Sequence, residues 1–399
     1  MPASNLQGLR KTIFIILSRI PYPLEKGDKL RAFYQIRELS KHHNLIICAL
    51  SDTPPHQDAG NILKAYSRSL YFFRLHRAGI FLRLIQAVFS QKPFQVAYFY
   101  NKRIHRKITE LIHCHQPDHI YCQLIRTAEY VRNNGTDKTI DYQDVFSAGL
   151  KRRADIAPWY MRPLLGLEYK RVRRYEKTVF DLFDKKTIIS APDRELIAHD
   201  KRKEIMVVPN GVDTGYFKPI SMDKPYDIVF TGNMAYPPNI NGANYLVREI
   251  MPHVWKEVPG ARVAIVGATP SSAVRSLASE KVVVTGWVED IREYYAGSRI
   301  FVAPMQIGTG LQNKVLEAMA MGLPCVTSPL ANEALKASAG KEVLIGINPG
   351  DYAQHILSLL RDIALYKTIS EYGYQFVLRN FNWENTSKIL EAVIIGKDS

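Results

Sequence analysis

IFVAPMQIGTGLQNKVLEAMAMGLPCVTS, Ile300 to Ser328, is the stretch on which the fold turns. It opens on a short apolar run ending at Pro304, passes through a loop holding Gly308 and Gly310, reads as a largely apolar helix from about Leu311, and returns to a second apolar run at PCVTS. Continuous apolar runs suit strands covered on both faces, so strand, helix and strand in this order predict a parallel α/β sheet. Upstream the alternation repeats as DIVFTG, the helix ANYLVREIMPHVWKEV, RVAIVG, KVVVTG and the helix IREYYAGS. Gly232, Gly267 and Gly286 each close an apolar run. They are therefore expected at carboxyl ends of strands, where open α/β sheets bind ligands.

The same grammar governs the first half. TIFIILS (12–18), a loop with Pro21, Pro23 and Gly27, a helix from near Asp28 and the run LIICAL begin a second sheet, continued by HIYCQ (119–123), KTIDY (138–142) and KTIIS (186–190). Between the halves, MVVPNGVDTGYFKPISMDKPYD (206–227) gathers prolines, glycines and turn-favouring Asn and Asp, the composition of a boundary. Two doubly wound α/β domains are predicted, 1–208 and 209–378, followed by a terminal segment, 379–399. A length of 399 residues agrees with two cores rather than one.

Composition narrows the function. With 46% hydrophobic and 23% charged residues the chain is globular, and its four cysteines lack the spacing of a zinc site or disulfide framework. A reducing, cytoplasmic setting is expected. No run of 18 apolar residues occurs, and the N-terminus lacks the pattern of a signal peptide. The formal charge of +15 is uneven: residues 1–200 hold 33 Lys and Arg against 19 Asp and Glu, whereas residues 201–399 are nearly neutral. An anionic partner for the first half follows, such as the inner face of a plasma membrane.

The stretch from Ile307 carries chemistry as well as topology. Glycines at 308 and 310 let an anion approach the unpaired amides of a helix start, and Lys314 and Glu317, three apart, share a face. A cation in the first turn opposes the helix dipole, which makes sense if a phosphate sits there. Glu317, about 4.5 Å further along the axis, then faces whatever the phosphates carry, and a carboxylate suits the vicinal hydroxyls of a ribose. Phosphates plus ribose describe a nucleotide. The competing reading is a solvated ion pair on an exposed helix.

GTGLQNKVLEAMAMGLPCVTS resembles the donor-binding segment of retaining glycosyltransferases of the large family 4, which have the GT-B fold of two Rossmann-like domains facing across a cleft. SRIPYPLEKGDKLR, VVPNGVDTGYFKP, VFTGNMAYPPN and VTGWVEDIREYYAGSRIFVAPM match other pieces in the family's order, over nearly the whole chain. IDYQDVFSAGLKRR adds a likeness to sugar transferases of bacterial surface-polysaccharide and exopolysaccharide systems. The resemblance implies a UDP- or GDP-sugar donor held mainly by the second domain, with Glu317 on the ribose and Lys314 at the diphosphate. Gly232, Asn233, Gly308, Thr309, Gly310, Leu311 and Gln312 fall in the matching donor segments, the backbone of Gly286, Trp287 and Val288 would receive the base, and Gly27 would cover the diphosphate. WENTSKILEAVII would form a helix crossing back to the first domain. Two departures concern the donor sugar: Thr309 stands where many members have a glutamate, and GNMAYPPN lacks the usual arginine and lysine pair. Gln306 and Gln312 are the candidates to compensate.

No Asp-x-Asp occurs, so no metal is expected, and His113 and His115 in HCHQP read as surface polar residues. Retention is implied, the leaving phosphate itself taking the acceptor proton. Lys314, Asp28 and Arg126 are the catalytic candidates. Arg19, Arg31, Gln123 and Asp144 are the acceptor-side ones, each near a predicted strand end, with a cap or surface ion pair as the alternative for Arg126 and Asp144. LYFFRLHRAGIFLRLIQAVF (70–89) has the make-up of an interfacial amphipathic helix and, with the basic clusters KRRADIAPWYMR and YKRVRRYEK, predicts docking on anionic lipid near a lipid-linked acceptor; the alternative is that its apolar residues are core and its arginines line a solvated face. A basic nucleic-acid-binding protein and a non-catalytic GT-B scaffold are the alternatives. The first lacks a recognisable module, and the second is opposed by Lys314 and Glu317.

Overall fold

The computed structural model describes residues 10–308 and 310–396. The chain divides into two compact units, Met1–Val208 with Ser387–Ser399, and Pro209–Thr386.

In the first unit β1 (Thr12–Leu17), β2 (Asn44–Ser51), β3 (Ser69–Arg74), β4 (His119–Gln123), β5 (Lys138–Asp141), β6 (Lys185–Ile188) and β7 (Met206–Val207) form one parallel sheet. Its order is β3-β2-β1-β4-β5-β6-β7. The continuous apolar run of β1 has a direct cause: alternate side chains point to opposite faces, and both faces are covered. Phe14 and Ile16 enter one core, with Ile46 and Ile120, while Ile13, Ile15 and Leu17 enter another with Ile36 and Leu45.

That second core is completed by the end of the chain. Leu390 and Ile394 are buried in it. Glu391 pairs with His43 Nε2 at 3.0 Å and His42 Nδ1 at 3.2 Å. The Lys11 and Lys185 ammonium groups donate to the Ile395 and Ile394 carbonyls at 3.3 Å, cations where a helix C-terminus favours them.

The second unit holds β8 (Tyr226–Thr231), β9 (Val263–Val266), β10 (Val282–Val284), β11 (Ser298–Ala303), β12 (Cys325–Thr327) and β13 (Leu344–Ile345), again all parallel, in the order β10-β9-β8-β11-β12-β13. Strand order reverses beside β1 and β4 in one sheet and beside β8 and β11 in the other. Those switch points leave a crevice at the strands' carboxyl ends.

One expectation is corrected. Residues 70–89 are not a single amphipathic helix: Ser69–Arg74 pairs with Ile46–Ser51 as β3, and the helix runs only from Arg77 to Val88. The aromatic run Tyr71–Phe73 suits a pleated surface, and β2 supplies a parallel neighbour. The two-residue strands β7 and β13 carried no sequence signal. Among the described residues no helix is long and apolar enough to cross a membrane.

Candidate functional site

The second unit's crevice is shaped by glycines. Gly232 N–H donates to the Val266 carbonyl at 3.0 Å and Gly267 N–H to the Gly286 carbonyl at 3.1 Å, so the ends of β8, β9 and β10 lie flush. A Cβ at Gly267 would stand 1.8 Å from the Gly232 carbonyl oxygen, and one at Gly232 would stand 2.6 Å from Asn239 Nδ2. No other residue fits there.

After β11 the chain turns through Gly308 and Gly310, both left-handed (φ 101° and 92°), into the helix Asn313–Ala320. Thr309 lies outside the described residues. Gly308 passes close to Pro238, where an added Cβ would come within 3.3 Å of Cγ. Gln312 gives the helix no side-chain cap; its Nε2 donates back to the Gly310 carbonyl at 3.2 Å. The first-turn amides are thus left without a side-chain acceptor from the cap position. Val315, Leu316, Ala318, Met319 and Ala320 are buried against the sheet, which leaves Lys314 and Glu317 half-buried on the remaining face.

Both charges are held by neutral dipoles. The Lys314 ammonium donates to Asn239 Oδ1, lies 4.8 Å from the Phe230 ring centroid and is 3.8 Å from Met305 Sδ. Asn239 is fixed in turn by its Nδ2 donating to the Asn233 carbonyl at 2.9 Å. Glu317 Oε2 accepts from Tyr295 OH at 2.9 Å, and the Tyr295 oxygen lies 2.8 Å from the Thr231 hydroxyl. Burial pushes Lys314 down to about 7, against the pull of the Glu317 charge. Burial likewise raises Glu317, opposed by the Tyr295 hydrogen bond and by Lys314. A cation so desolvated, beside a helix N-terminus, is under-compensated, and an anion would complete its surroundings.

Asn239 and Tyr295 were missed by the sequence reading. Asn239 ends YPPN and Tyr295 lies in IREYYAGS, but only folding shows that they face Lys314 and Glu317. Among the other donor-side candidates, Trp287 is 73% exposed, whereas Val288 and Leu311 pack partly against the core. Asn233 is exposed, its Oδ1 accepting from the Ala235 amide at 3.0 Å.

In the first unit the residues after β1 and β4 form a second polar cluster. Arg19 Nη1 pairs with Asp28 Oδ2 at 2.5 Å, and Gln123 Nε2 donates to the Asp28 carbonyl at 3.1 Å. Gln123 is buried, so it supports that loop from beneath. Arg126 lies 5.0 and 4.7 Å from the Phe99 and Phe146 ring centroids, and burial, aided by the Arg19 charge, lowers it to about 10. Asp144 is reached by solvent yet crowded by protein, and that desolvation, with the Asp193 charge, raises it to about 6. Gly27 opens the helix Gly27–Leu39, with free space where a Cβ would be. Leu124 and Gln143, just after β4 and β5, are left-handed (φ 64° and 59°), a strain that gathers at ligand edges.

Arg31 is a correction. It is fully buried, with Nε 2.7 Å from Asp141 Oδ2 and Nη2 3.2 Å from Oδ1. Asp141 also accepts from Tyr121 OH at 2.9 Å and Thr187 Oγ1 at 3.0 Å. Sealed in this network, Arg31 braces the sheet and is closed to an acceptor. His115 Nε2 lies 3.0 Å from Tyr71 OH, and among the described residues no three His, Cys, Asp or Glu side chains gather as a metal site.

Residues 225–362, which include Asn239, Tyr295, Lys314 and Glu317, match the family model for Glycosyl transferases group 1. Residues 225–362 are a group 1 glycosyltransferase domain. Beyond that domain, a Klebsiella pneumoniae protein described as "Uncharacterized 44.6 kDa protein in cps region" is 21% identical over 391 residues, 93% of this chain and 96% of that protein. Sucrose-phosphate synthase from Thermosynechococcus elongatus superposes over 97% of this chain and 99% of its own with a TM-score of 0.66 at 14% identity. Anabaena Alr3699/HepE, solved in complex with UDP and glucose, does so over 97% and 100% with a TM-score of 0.66 at 13% identity. Together with the glycosyltransferase domain, these likenesses place the fold in the GT-B class.

Proposed function

We propose that the chain is a retaining, metal-independent glycosyltransferase that moves a sugar from a UDP- or GDP-sugar to a glycan or lipid-linked acceptor in surface-polysaccharide synthesis. The observation that carries this reading is the half-buried pair Lys314 and Glu317, held by Asn239 and Tyr295 at an uncapped helix start. The relative from a cps region supports the polysaccharide setting, and the UDP in the Alr3699/HepE structure favours uridine.

The chemistry follows from charge. As the bond from the anomeric carbon to the phosphate oxygen breaks, negative charge grows on the diphosphate, where the Lys314 ammonium and the first-turn amides stabilise it. Glu317 Oε2 is anchored by Tyr295, and Oε1 offers lone pairs to the ribose hydroxyls. The acceptor oxygen bonds to the anomeric carbon on the face that the phosphate leaves, and its proton passes to a phosphate oxygen. Gly308, Gly310 and Gln312 line the approach to the donor. Arg19, Asp28, Arg126 and Asp144, at the first unit's strand ends, are the groups assigned to the acceptor side.

Calorimetric titration with UDP and GDP, without metal, on the wild type and Glu317→Ala tests the reading. One nucleotide should bind and lose about 100-fold in affinity in the variant, the scale of a lost charged hydrogen-bonding partner. If neither nucleotide binds the folded wild type, the proposal fails and the non-catalytic scaffold takes its place.

A further inference from the structure

We propose that the first unit docks on an anionic lipid bilayer through one apolar patch with a basic rim, built from the helix Arg77–Val88 and the start of the helix Arg162–Leu182. This inference does not rest on the transferase reading.

The helix Arg77–Val88 is apolar over most of its surface, its polar side chains being Arg77 at its start, Arg83 and the exposed Gln86. Ile80 and Ala87 are buried, with Leu84 packed against the core. The opposite side presents Phe81, Leu82, Ile85 and Val88, continued by Phe89, with Phe81 65% and Phe89 88% exposed. Arg83 gives that side no charge, because it turns inward and donates to the Ala97 and Tyr98 carbonyls at 3.1 and 3.2 Å. A helix that is apolar on the side away from the core as well as toward it suits apolar surroundings on both.

The patch continues onto a second helix. Arg171 donates to the Ala87 and Val88 carbonyls at 3.1 Å each, tying its helix to the end of the first. One and two turns before Arg171, on the same stripe, stand the exposed Leu167 and Leu164. The turn leading into that helix carries Trp159, Tyr160 and Met161, all exposed, with Trp159 at 81%. Trp and Tyr are the side chains that settle at the headgroup level of membranes.

Charge selects the occupant. Lys151, Arg152, Arg153 and Arg162 flank the turn, and Lys170 and Arg173 follow along the helix, all exposed. The helix Arg77–Val88 has no acidic residue, Glu168 and Glu176 of the second helix are buried, its exposed Asp181 lies at the far end 3.1 Å from His199, and Asp155 beside the turn is outnumbered by the basic groups around it. A second copy of the chain would bring one basic rim against another, and a nucleic acid would leave the leucines and phenylalanines without apolar partners. An anionic bilayer takes up both features, hydrocarbon for the ridge and headgroups for the rim.

The test uses the full chain and vesicles of phosphatidylcholine, alone or with one third phosphatidylglycerol. Co-sedimentation should need the anionic lipid, weaken in molar salt, and fall about 100-fold in Phe81→Ser/Phe89→Ser, on the scale of two exposed aromatics that no longer enter apolar surroundings. Lys170→Glu/Arg173→Glu should weaken it about tenfold or more, since each basic group near such a surface is worth roughly a factor of five. Brominated lipid should quench wild-type tryptophan fluorescence, and Trp159→Phe should remove most of that quenching. Four outcomes would each overturn the proposal: equal sedimentation of the Phe81→Ser/Phe89→Ser variant, equal binding to neutral vesicles, a wild-type dimer that these substitutions make monomeric, or binding to DNA or RNA that they abolish.

Discussion

Lys314→Met should make the protein more stable while destroying nucleotide binding. The Lys314 ammonium is held at about 7, far below an ordinary lysine, chiefly by burial. Between that value and the unfolded one near 10.4, the unfolded chain binds the extra proton. Stability therefore rises with pH across this window, and the lysine's drag is greatest below pH 7. At about 1.4 kcal/mol per unit, discounted for the solvent-reached side of the chain, the drag at pH 7 is on the order of 2–4 kcal/mol. Losing the Lys314 to Asn239 hydrogen bond costs about 1 kcal/mol, so the variant should gain about 1–3 kcal/mol in denaturant unfolding at pH 7, and less at pH 9. Binding should move oppositely. A diphosphate recharges the lysine, so UDP binding takes up a proton and weakens by up to tenfold per pH unit above about 7.5, where the terminal phosphate is already ionised. Calorimetry in buffers of different ionisation enthalpy reads that uptake directly. In Lys314→Met the slope should vanish and affinity at pH 7 should drop about 10- to 100-fold. A wild type whose UDP affinity is flat from pH 7.5 to pH 9, a window set by the free lysine near 7, would refute the argument, as would a variant that unfolds more easily.

Tyr295→Phe removes the donor that lowers the Glu317 pKa; UDP affinity should fall about tenfold near neutrality, and calorimetry should show the deficit shrinking as pH rises and ionises the carboxylate. Gly267→Ala drives a Cβ into the Gly232 carbonyl, so chemical denaturation should show a loss of about 3 kcal/mol or more. Gly286→Ala, with open space around its Cβ but φ 78°, should lose only about 1 kcal/mol. Arg31→Met strands a buried carboxylate and should cost about 3–5 kcal/mol; Arg31→Met/Asp141→Asn should recover part of that in the same unfolding assay, and no recovery would show that the pair is not what holds the network.

The alternation of apolar strand and amphipathic helix made both sheets legible, because strands buried on two faces have nowhere to hide their composition. β1 and β11 could be read directly from TIFIIL and IFVA. β3 could not, since aromatic residues mixed with arginine fit an exposed helix as well as an edge strand, and only its pairing to β2 decides. The pairing of Lys314 and Glu317 on one face was legible, because their spacing is local to one helix. Asn239 lies 75 residues from the Lys314 it holds, and Tyr295 lies 22 from Glu317. Arg31 misled for the same reason: its partner is 110 residues away on β5. Motif position identifies a strand end, but whether a side chain there points to solvent or into the sheet depends on contacts that local sequence does not encode.

Leu390, Glu391 and Ile394 fill and lock a core that otherwise draws on residues from the first part of the chain. A nascent chain can lay down β1 to β7 early, yet the core on the Ile13, Ile15 and Leu17 face of β1 stays incomplete until Leu390 and Ile394 have been synthesised. Ribosomal stalling, a nonsense codon or proteolytic clipping before Leu390 should thus be felt at β1, as exposed isoleucine and leucine that chaperones and proteases recognise. Synthesis of Leu390 and Ile394 is in this way a condition for fully burying the first strand.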